Sequence, residues 1–138
     1  MSNVIVTIPG EPKAKARPRM STKTGRAYTP GTTIQYENWV KACFMEQCGI
    51  KLEGEIKATI SCYFGIAKST TKKKREQMLE GAIRPTKKPD LDNIAKSILD
   101  SLNDVAYKDD SQVVSLTIEK YYGEQPCVVL KLEELLWS

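Results

Sequence analysis

Apolar residues repeat along the chain with two different periods, which predict strands in some segments and helices in others. Over residues 55–66 apolar and polar positions alternate, the pattern of a half-buried strand. Over residues 32–49 and 90–103 apolar residues recur every three or four positions, which is typical of a helix with one buried face. Thr32 or Thr33 can cap the first helix, whose apolar positions are Tyr36, Trp39, Val40, Cys43, Phe44 and Cys48. The second helix has the clearest pattern in the chain, with apolar residues at Leu91, Ile94, Ala95, Ile98, Leu99 and Leu102.

Shorter segments complete the predicted order of elements. Residues 4–8 form a strand that ends at a Pro-Gly turn, and residues 11–31 form a long basic loop rich in proline. Residues 72–80 form a short helix between a Ser-Thr-Thr cap and Gly81. Residues 114–118 and 128–132 form two strands, paired as a hairpin by a turn at 123–126. This order predicts an α+β fold: one small domain over residues 1–138, with a mixed or antiparallel sheet packed against helices.

Composition excludes several classes of protein. The 138 residues include no histidine, which rules out Ser-His and Cys-His nucleophile pairs and histidine-ligated metal sites. The four cysteines form no C-x-x-C pair, so we expect reduced, buried thiols rather than disulfides or zinc. No apolar stretch reaches about 18 residues, and residues 1–9 lack the features of a secretory signal. We therefore expect a cytoplasmic protein with no membrane segment.

The net charge of +4 conceals an asymmetry along the chain. Residues 1–89 contain 17 Lys and Arg against 7 Glu, a net charge of +10, whereas residues 90–138 have a net charge of −6. All six aspartates lie within residues 90–110. A basic body attracts polyanions, and an acidic cluster beside it repels them unless a cation is bound.

The basic residues are candidates for binding the DNA backbone. They lie in the long loop, in the short helix and just before the first aspartate. The alternative for the loop is a surface arm, and the short helix taken alone is better explained as a solvated charged face. The candidates are Lys13, Lys15, Arg17, Arg19, Lys72, Lys73, Lys74, Arg75, Lys87 and Lys88.

The aspartates have two interpretations. Asp90 and Asp92 stand at the start of the clearest helix, where carboxylates cap the helix and favour its dipole without any catalytic role. Lys96 and Asp100 continue a polar stripe from Asp92 at intervals of four residues, and Lys96 can pair with Asp92. Adjacent aspartates, Asp109 and Asp110, follow at the entry to the next strand. If that strand packs beside the helix start, three or four carboxylates converge.

Converging carboxylates repel one another unless a divalent cation lies among them. Oxygen ligands without histidine or thiolate indicate Mg²⁺, with Mn²⁺ as a substitute. A carboxylate-held metal next to a basic surface suggests phosphodiester hydrolysis, in which Lys96 can stabilise charge on the phosphate or orient the nucleophile.

The same residues carry a family resemblance. Residues 88–93, Lys96, residues 99–103 and residues 108–113 resemble the signature of RusA-like Holliday junction resolvases. The stretch 10–19, with its Arg-Pro-Arg, is similar to the basic entry motif of that family, and residues 28–30 also fit. The resemblance covers nearly the whole chain and is most specific over residues 87–123. One position departs from it: Asp104 stands where the family often has glycine, and Asp tolerates the left-handed turn geometry.

The resemblance implies a homodimer that binds four-way DNA junctions and makes paired, symmetric nicks with Mg²⁺ in DNA recombination and repair. It implies that Asp90 and Asp92 are catalytic metal ligands, with Asp110 favoured over Asp109 as the third. It also implies that Lys96 is the catalytic lysine. The helix bearing Trp39 and Phe44, and the C-terminal residues 135–137, are candidates for the dimer interface.

Three alternatives remain open at the level of sequence. One is a metal-dependent nuclease for other branched DNA, such as flaps or forks, because junction choice depends on dimer geometry. Another is a non-catalytic DNA-binding module in which the acids are helix caps. The last is a structural or inhibitory partner protein, which the basic arm disfavours.

Overall fold

The computed structural model describes residues 2–14, 19–20, 27–28 and 31–135. Its strands are β1 (Asn3–Pro9), β2 (Arg19–Met20), β3 (Ala27–Tyr28), β4 (Glu55–Phe64), β5 (Val113–Tyr122) and β6 (Cys127–Leu135). Its helices are α1 (Gly31–Gln47), α2 (Lys72–Leu79) and α3 (Leu91–Ser101), and a 3₁₀ helix at Asp110–Gln112 leads into β5. The α+β class and the order of the main elements are confirmed.

The predicted long loop contains one element that its composition did not indicate. β2 pairs antiparallel with β3, with Arg19 opposite Tyr28 and Met20 opposite Ala27. Strands of two residues are too short to show a periodic pattern in the sequence. The candidate residues Lys15 and Arg17 lie outside the described residues.

The principal sheet is mixed, with strand order β1-β6-β4-β5. β6 pairs antiparallel with both β1 and β4, and β5 pairs parallel with β4. The predicted hairpin between the last two strands is therefore wrong: β4 lies between β5 and β6. Their turn at residues 123–126 spans this central strand, and α2 and α3 form the long crossover that a parallel β4–β5 pair requires.

One face of the sheet forms the core with α1 and α3. Alternate residues of β4, namely Ile56, Ala58, Ile60, Cys62 and Phe64, are buried, as the period of two predicted. Helix α1 begins at Gly31, one or two residues before the predicted caps, and it buries Tyr36, Val40, Cys43 and Phe44. Helix α3 buries its predicted apolar face, with Ile94 and Ile98 fully inaccessible.

Two expectations about α1 need correction. Trp39 is 45% exposed, and its indole N–H donates to the carbonyl of Pro9, so it lies at the rim of the core. Phe44 is fully buried, so it cannot form a dimer interface. Of the other interface candidates, Leu135 is partly buried at the end of β6, and residues 136–137 lie outside the described part. None of the described helices is long and apolar enough to cross a membrane.

Adjacent residues of α1 provide a test of this packing. Phe44→Ala should lower the free energy of unfolding by about 3–5 kcal/mol, because it empties a ring-sized space in the core. Met45→Ala, the matched control, should change it by less than about 0.5 kcal/mol, since Met45 is 57% exposed. Urea denaturation of both variants at one protein concentration measures the difference. Equal losses would show that the exposed face of α1 is also packed.

Candidate active site

The start of α3 presents two carboxylates to solvent. Asp90 is the N-cap residue and has extended backbone angles, but its side chain makes no capping hydrogen bond. Asp92 lies in the first turn, and both residues are exposed. An N-cap carboxylate normally accepts a backbone N–H of the first turn. Because Asp90 does not, helix capping alone does not account for it.

Lys96 lies one turn further along α3 and is exposed. The predicted ion pair between Lys96 and Asp92 is absent: within residues 31–135 the ion pairs are Arg84–Glu119 and Lys131–Glu133. The ammonium of Lys96 is thus not held by its neighbour on the helix. It remains on the side of α3 opposite the buried apolar residues.

A buried tyrosine fixes the loop that follows α3. Tyr107 is fully inaccessible, and its hydroxyl donates to the carbonyl of Leu99 in the last turn of the helix. Asp104 adopts a positive φ of 63°, so it takes the left-handed turn geometry expected of it. A bridge between Asn103 and Tyr107 closes the turn. The chain then continues directly into the two adjacent aspartates.

Asp109 and Asp110 have different local environments. Asp109 caps the 3₁₀ helix: its carboxylate accepts the backbone N–H of Ser111 at 3.0 Å, and Gln112 completes a capping box. These bonds from Ser111 hold the pKa of Asp109 below its ordinary value. Asp110 is partly buried, and its backbone N–H donates to Oδ1 of Asn103 at 2.8 Å. The backbone hydrogen bond to Asn103 therefore positions Asp110 and its carboxylate, whereas the carboxylate of Asp109 stabilises the 3₁₀ helix.

Asp100 in α3 faces Asp110 across this loop. Burial first, and then the hydrogen bond and negative charge of Asp100, raise the pKa of Asp110. The sequence showed Asp100 only as the end of the polar stripe from Asp92; its proximity to Asp110 depends on the turn at residues 103–107. Burial, and then the charges of three aspartates, also raise the pKa of Tyr107; they are Asp110, Asp100 and Asp109.

The predicted carboxylates do not form a complete cage in the described chain. Among the described residues, no group of three or more Asp, Glu or Cys side chains lies close enough together to hold a metal ion. The donor chemistry nonetheless suits a hard divalent cation, because the available groups are carboxylates and amide oxygens. Burial and the charge of Asp100 oppose the ionisation of Asp110, and a bound cation would favour it. The assignment of Asp90, Asp92 and Asp110 as ligands stays a prediction.

The basic candidates lie on several elements around the sheet. Thr71 caps α2 by accepting the N–H of Lys74, and Lys72, Lys73 and Lys74 are exposed while Arg75 is partly buried. Lys13, Lys87 and Lys88 are also exposed, and the backbone of Arg19 lies in β2. No contact of these side chains tests whether they bind DNA.

The fold and the site define a class: an α+β protein in which an acidic helix start and an acidic loop lie within a basic chain, as an enzyme acting on a polyanion requires. A family model for endodeoxyribonuclease RusA matches residues 9–133. YqaN, an uncharacterized protein of Bacillus subtilis (strain 168), is 35% identical over 140 residues, covering 98% of this chain and 99% of the relative. The chain belongs to the RusA endodeoxyribonuclease family. Membership implies an enzyme that cuts DNA internally.

The adjacent aspartates should affect stability in opposite directions. Asp110 has a raised pKa, so its ionisation at neutral pH destabilises the native state, and Asp110→Asn should raise the Tm measured in EDTA. Asp109 has a lowered pKa, so its ionised form stabilises the native state, and Asp109→Ala should lower the Tm. Both differences should shrink as the pH falls and the carboxyls are protonated. Shifts of the same sign at neutral pH would contradict the two environments.

Proposed function

We propose that this protein is a homodimeric, Mg²⁺-dependent endonuclease that resolves four-way DNA junctions by paired symmetric nicks, and that it acts in the cytoplasm during DNA recombination and repair. Membership of the RusA family supports cleavage of branched DNA. The single observation that supports a catalytic helix start is Asp90, an N-cap residue whose carboxylate makes no cap bond. Mn²⁺ should substitute for Mg²⁺, since both prefer oxygen ligands.

Asp90, Asp92 and Asp110 would hold the metal, and Asp109 is the alternative to Asp110. Asp109 is engaged by its own capping box, which favours Asp110 for this role. A cation held there would supply Lewis acidity to the phosphate and lower the pKa of an attacking water. Lys96 stabilises negative charge that develops on the phosphate, because an ammonium near the reacting oxygen acts without being a ligand. Asn103 holds the backbone of Asp110 and so positions its carboxylate.

The basic residues hold the strand outside the reacting centre. Lys72, Lys73 and Lys74 project from α2 into solvent, where they can contact phosphates without losing an internal partner. Arg19, Lys87 and Lys88 would extend this contact, together with Lys13, Lys15, Arg17 and Arg75. Contacts of this kind provide affinity that is independent of DNA sequence.

Conservative changes at the acids test the catalytic assignment. Asp90→Asn, Asp92→Asn and Asp110→Asn should each abolish cleavage of a synthetic four-way junction in Mg²⁺. Junction binding should be retained or strengthened, because each change removes a negative charge that faces the phosphates. Lys96→Ala should lose cleavage with either Mg²⁺ or Mn²⁺, since its charge acts on the phosphate and not through coordination. Cleavage and gel-shift assays separate the two effects.

Asp90→Asn discriminates most sharply between the interpretations. Asn caps helices as well as Asp does, so the capping explanation expects unchanged activity. A fully active Asp90→Asn enzyme would therefore contradict the catalytic role of this helix start. The same assay, run with a fork, a flap and linear duplex beside the junction, decides whether the enzyme prefers another branched structure.

Two coordinated nicks require two active sites, so the protein should sediment as a dimer at micromolar concentration. Substitution of exposed α1 residues can locate the interface: Trp39→Ala should shift the equilibrium towards monomer if α1 contributes to it. Lys41→Ala on the same helix is the control. A monomer that retains paired nicking would contradict the dimer, whatever the effect of Trp39.

A further inference from the structure

A cavity of about 370 Å³ lies beside the start of α3. Its walls come from the loop before α3, the first residue of α3 and the middle of β5. The lining residues are Arg84, Pro85, Leu91, Ile118, Glu119 and Lys120. Leu91 stands between Asp90 and Asp92 in the chain, so the cavity adjoins the proposed catalytic carboxylates.

Lys120, which lines this cavity, and Lys87, which contacts Lys120, have no acidic partner among residues 31–135. The Nζ atoms of Lys87 and Lys120 lie 5.5 and 5.6 Å from the centroid of the Phe64 ring. Lys120 also donates to the backbone carbonyl of Lys87 at 2.6 Å. Within residues 31–135 neither ammonium forms an ion pair. The face of an aromatic ring attracts a cation, but the Phe64 ring does not neutralise the charges of two lysines.

Arg84 differs from these lysines, because its charge is already satisfied. Its guanidinium pairs with Glu119 at 2.7 Å, stacks 4.4 Å from the centre of the Tyr121 ring and donates to the carbonyl of Lys120 at 2.8 Å. These contacts fasten the loop before α3 to the edge of β5. Lys120 is thereby held at both its carbonyl and its ammonium, and Lys87 lies in the fastened loop, which lowers the cost of ordering the two charges around a ligand.

We propose that Lys87 and Lys120 bind a backbone phosphate of the DNA strand next to the phosphate that is cleaved. This inference rests on the proposed function and adds a binding residue, Lys120, that the sequence pattern of β5 gave no reason to select. A phosphate oxygen between the two ammoniums would compensate both charges and relieve their mutual repulsion. The cationic pair also offsets the acids at the start of α3, which would otherwise repel the strand.

Binding measured against salt concentration tests the proposal. In the Asp92→Asn background, Lys87→Met with Lys120→Met should weaken junction binding about tenfold and lower the slope of log affinity against log salt by about 1, the value for one lost phosphate contact. Methionine keeps the apolar packing against Phe64. Arginine at both positions should restore affinity and slope. Lys57→Met is the matched control, because Lys57 is exposed on the opposite face of β4.

An unchanged affinity and slope in the double methionine variant would overturn the proposal, as would the same loss in Lys57→Met. Lys87→Met alone keeps the backbone carbonyl that Lys120 contacts. It therefore serves as the reference for Lys120→Met alone, which provides the measurement if the double variant fails to fold: both single variants should lower affinity and slope, and an unchanged Lys120→Met would overturn the proposal. Cleavage of the junction by the unmodified protein is measured separately, so a failure of the proposed function is distinguishable from a failure of this site.

Discussion

The hydrogen bond from the Tyr107 hydroxyl to the Leu99 carbonyl holds together the two halves of the acidic region. It joins the last turn of α3 to the loop that leads into β5, and it does so in the fully buried interior. A helix end leaves carbonyls without partners, and a buried one must be satisfied. Removing the hydroxyl would leave that carbonyl with only the 3.3 Å bond from the Leu102 backbone N–H, at a cost of about 1 kcal/mol. Asp100 and Asp110 face each other only because this turn is fixed.

Within this loop one aspartate stabilises the fold, whereas the next is placed where its ionisation is unfavourable. Asp109 and Gln112 form a capping box that stabilises the 3₁₀ helix, whereas Asp110 is partly buried beside Asp100 and resists ionisation. Adjacent residues thus have pKa values displaced in opposite directions. A residue retained for folding alone would not be placed against a like charge. Strain of this kind is common where a protein binds a charged ligand, and here it lies beside the helix that begins with Asp90.

Much of this organisation could be predicted from periodicity, and the failures have identifiable physical causes. The alternation of β4 and the apolar face of α3 are local patterns, and both were confirmed, although β4 ends at Phe64 and Leu91 at the start of α3 is only partly buried. Pairing between strands is not local: nothing in residues 113–135 shows that β4 lies between β5 and β6. Burial on α1 was predicted from spacing, but Trp39 lies at the rim because its indole N–H bonds to Pro9. At the boundary of a core, the position of a side chain with a polar group depends on its hydrogen-bond partner as well as on the helical period of the sequence.

The candidate site residues also divide into those whose arrangement is local in sequence and those that only the fold brings together. Asp90, Asp92 and Lys96 share one helix, so their order along α3 could be predicted, but the absence of the Lys96–Asp92 pair could not. Asp100 and Asn103 meet Asp110 only through the turn, and Lys120 meets Lys87 only through the parallel pairing of β5 with β4. The crossover from β4 through α2 and α3 to β5 therefore connects the parallel strands and also affects the site. It brings Lys120 of β5 to the carbonyl of Lys87 in the loop that precedes the acids, so that lysines from two distant segments adjoin the carboxylates at the start of α3.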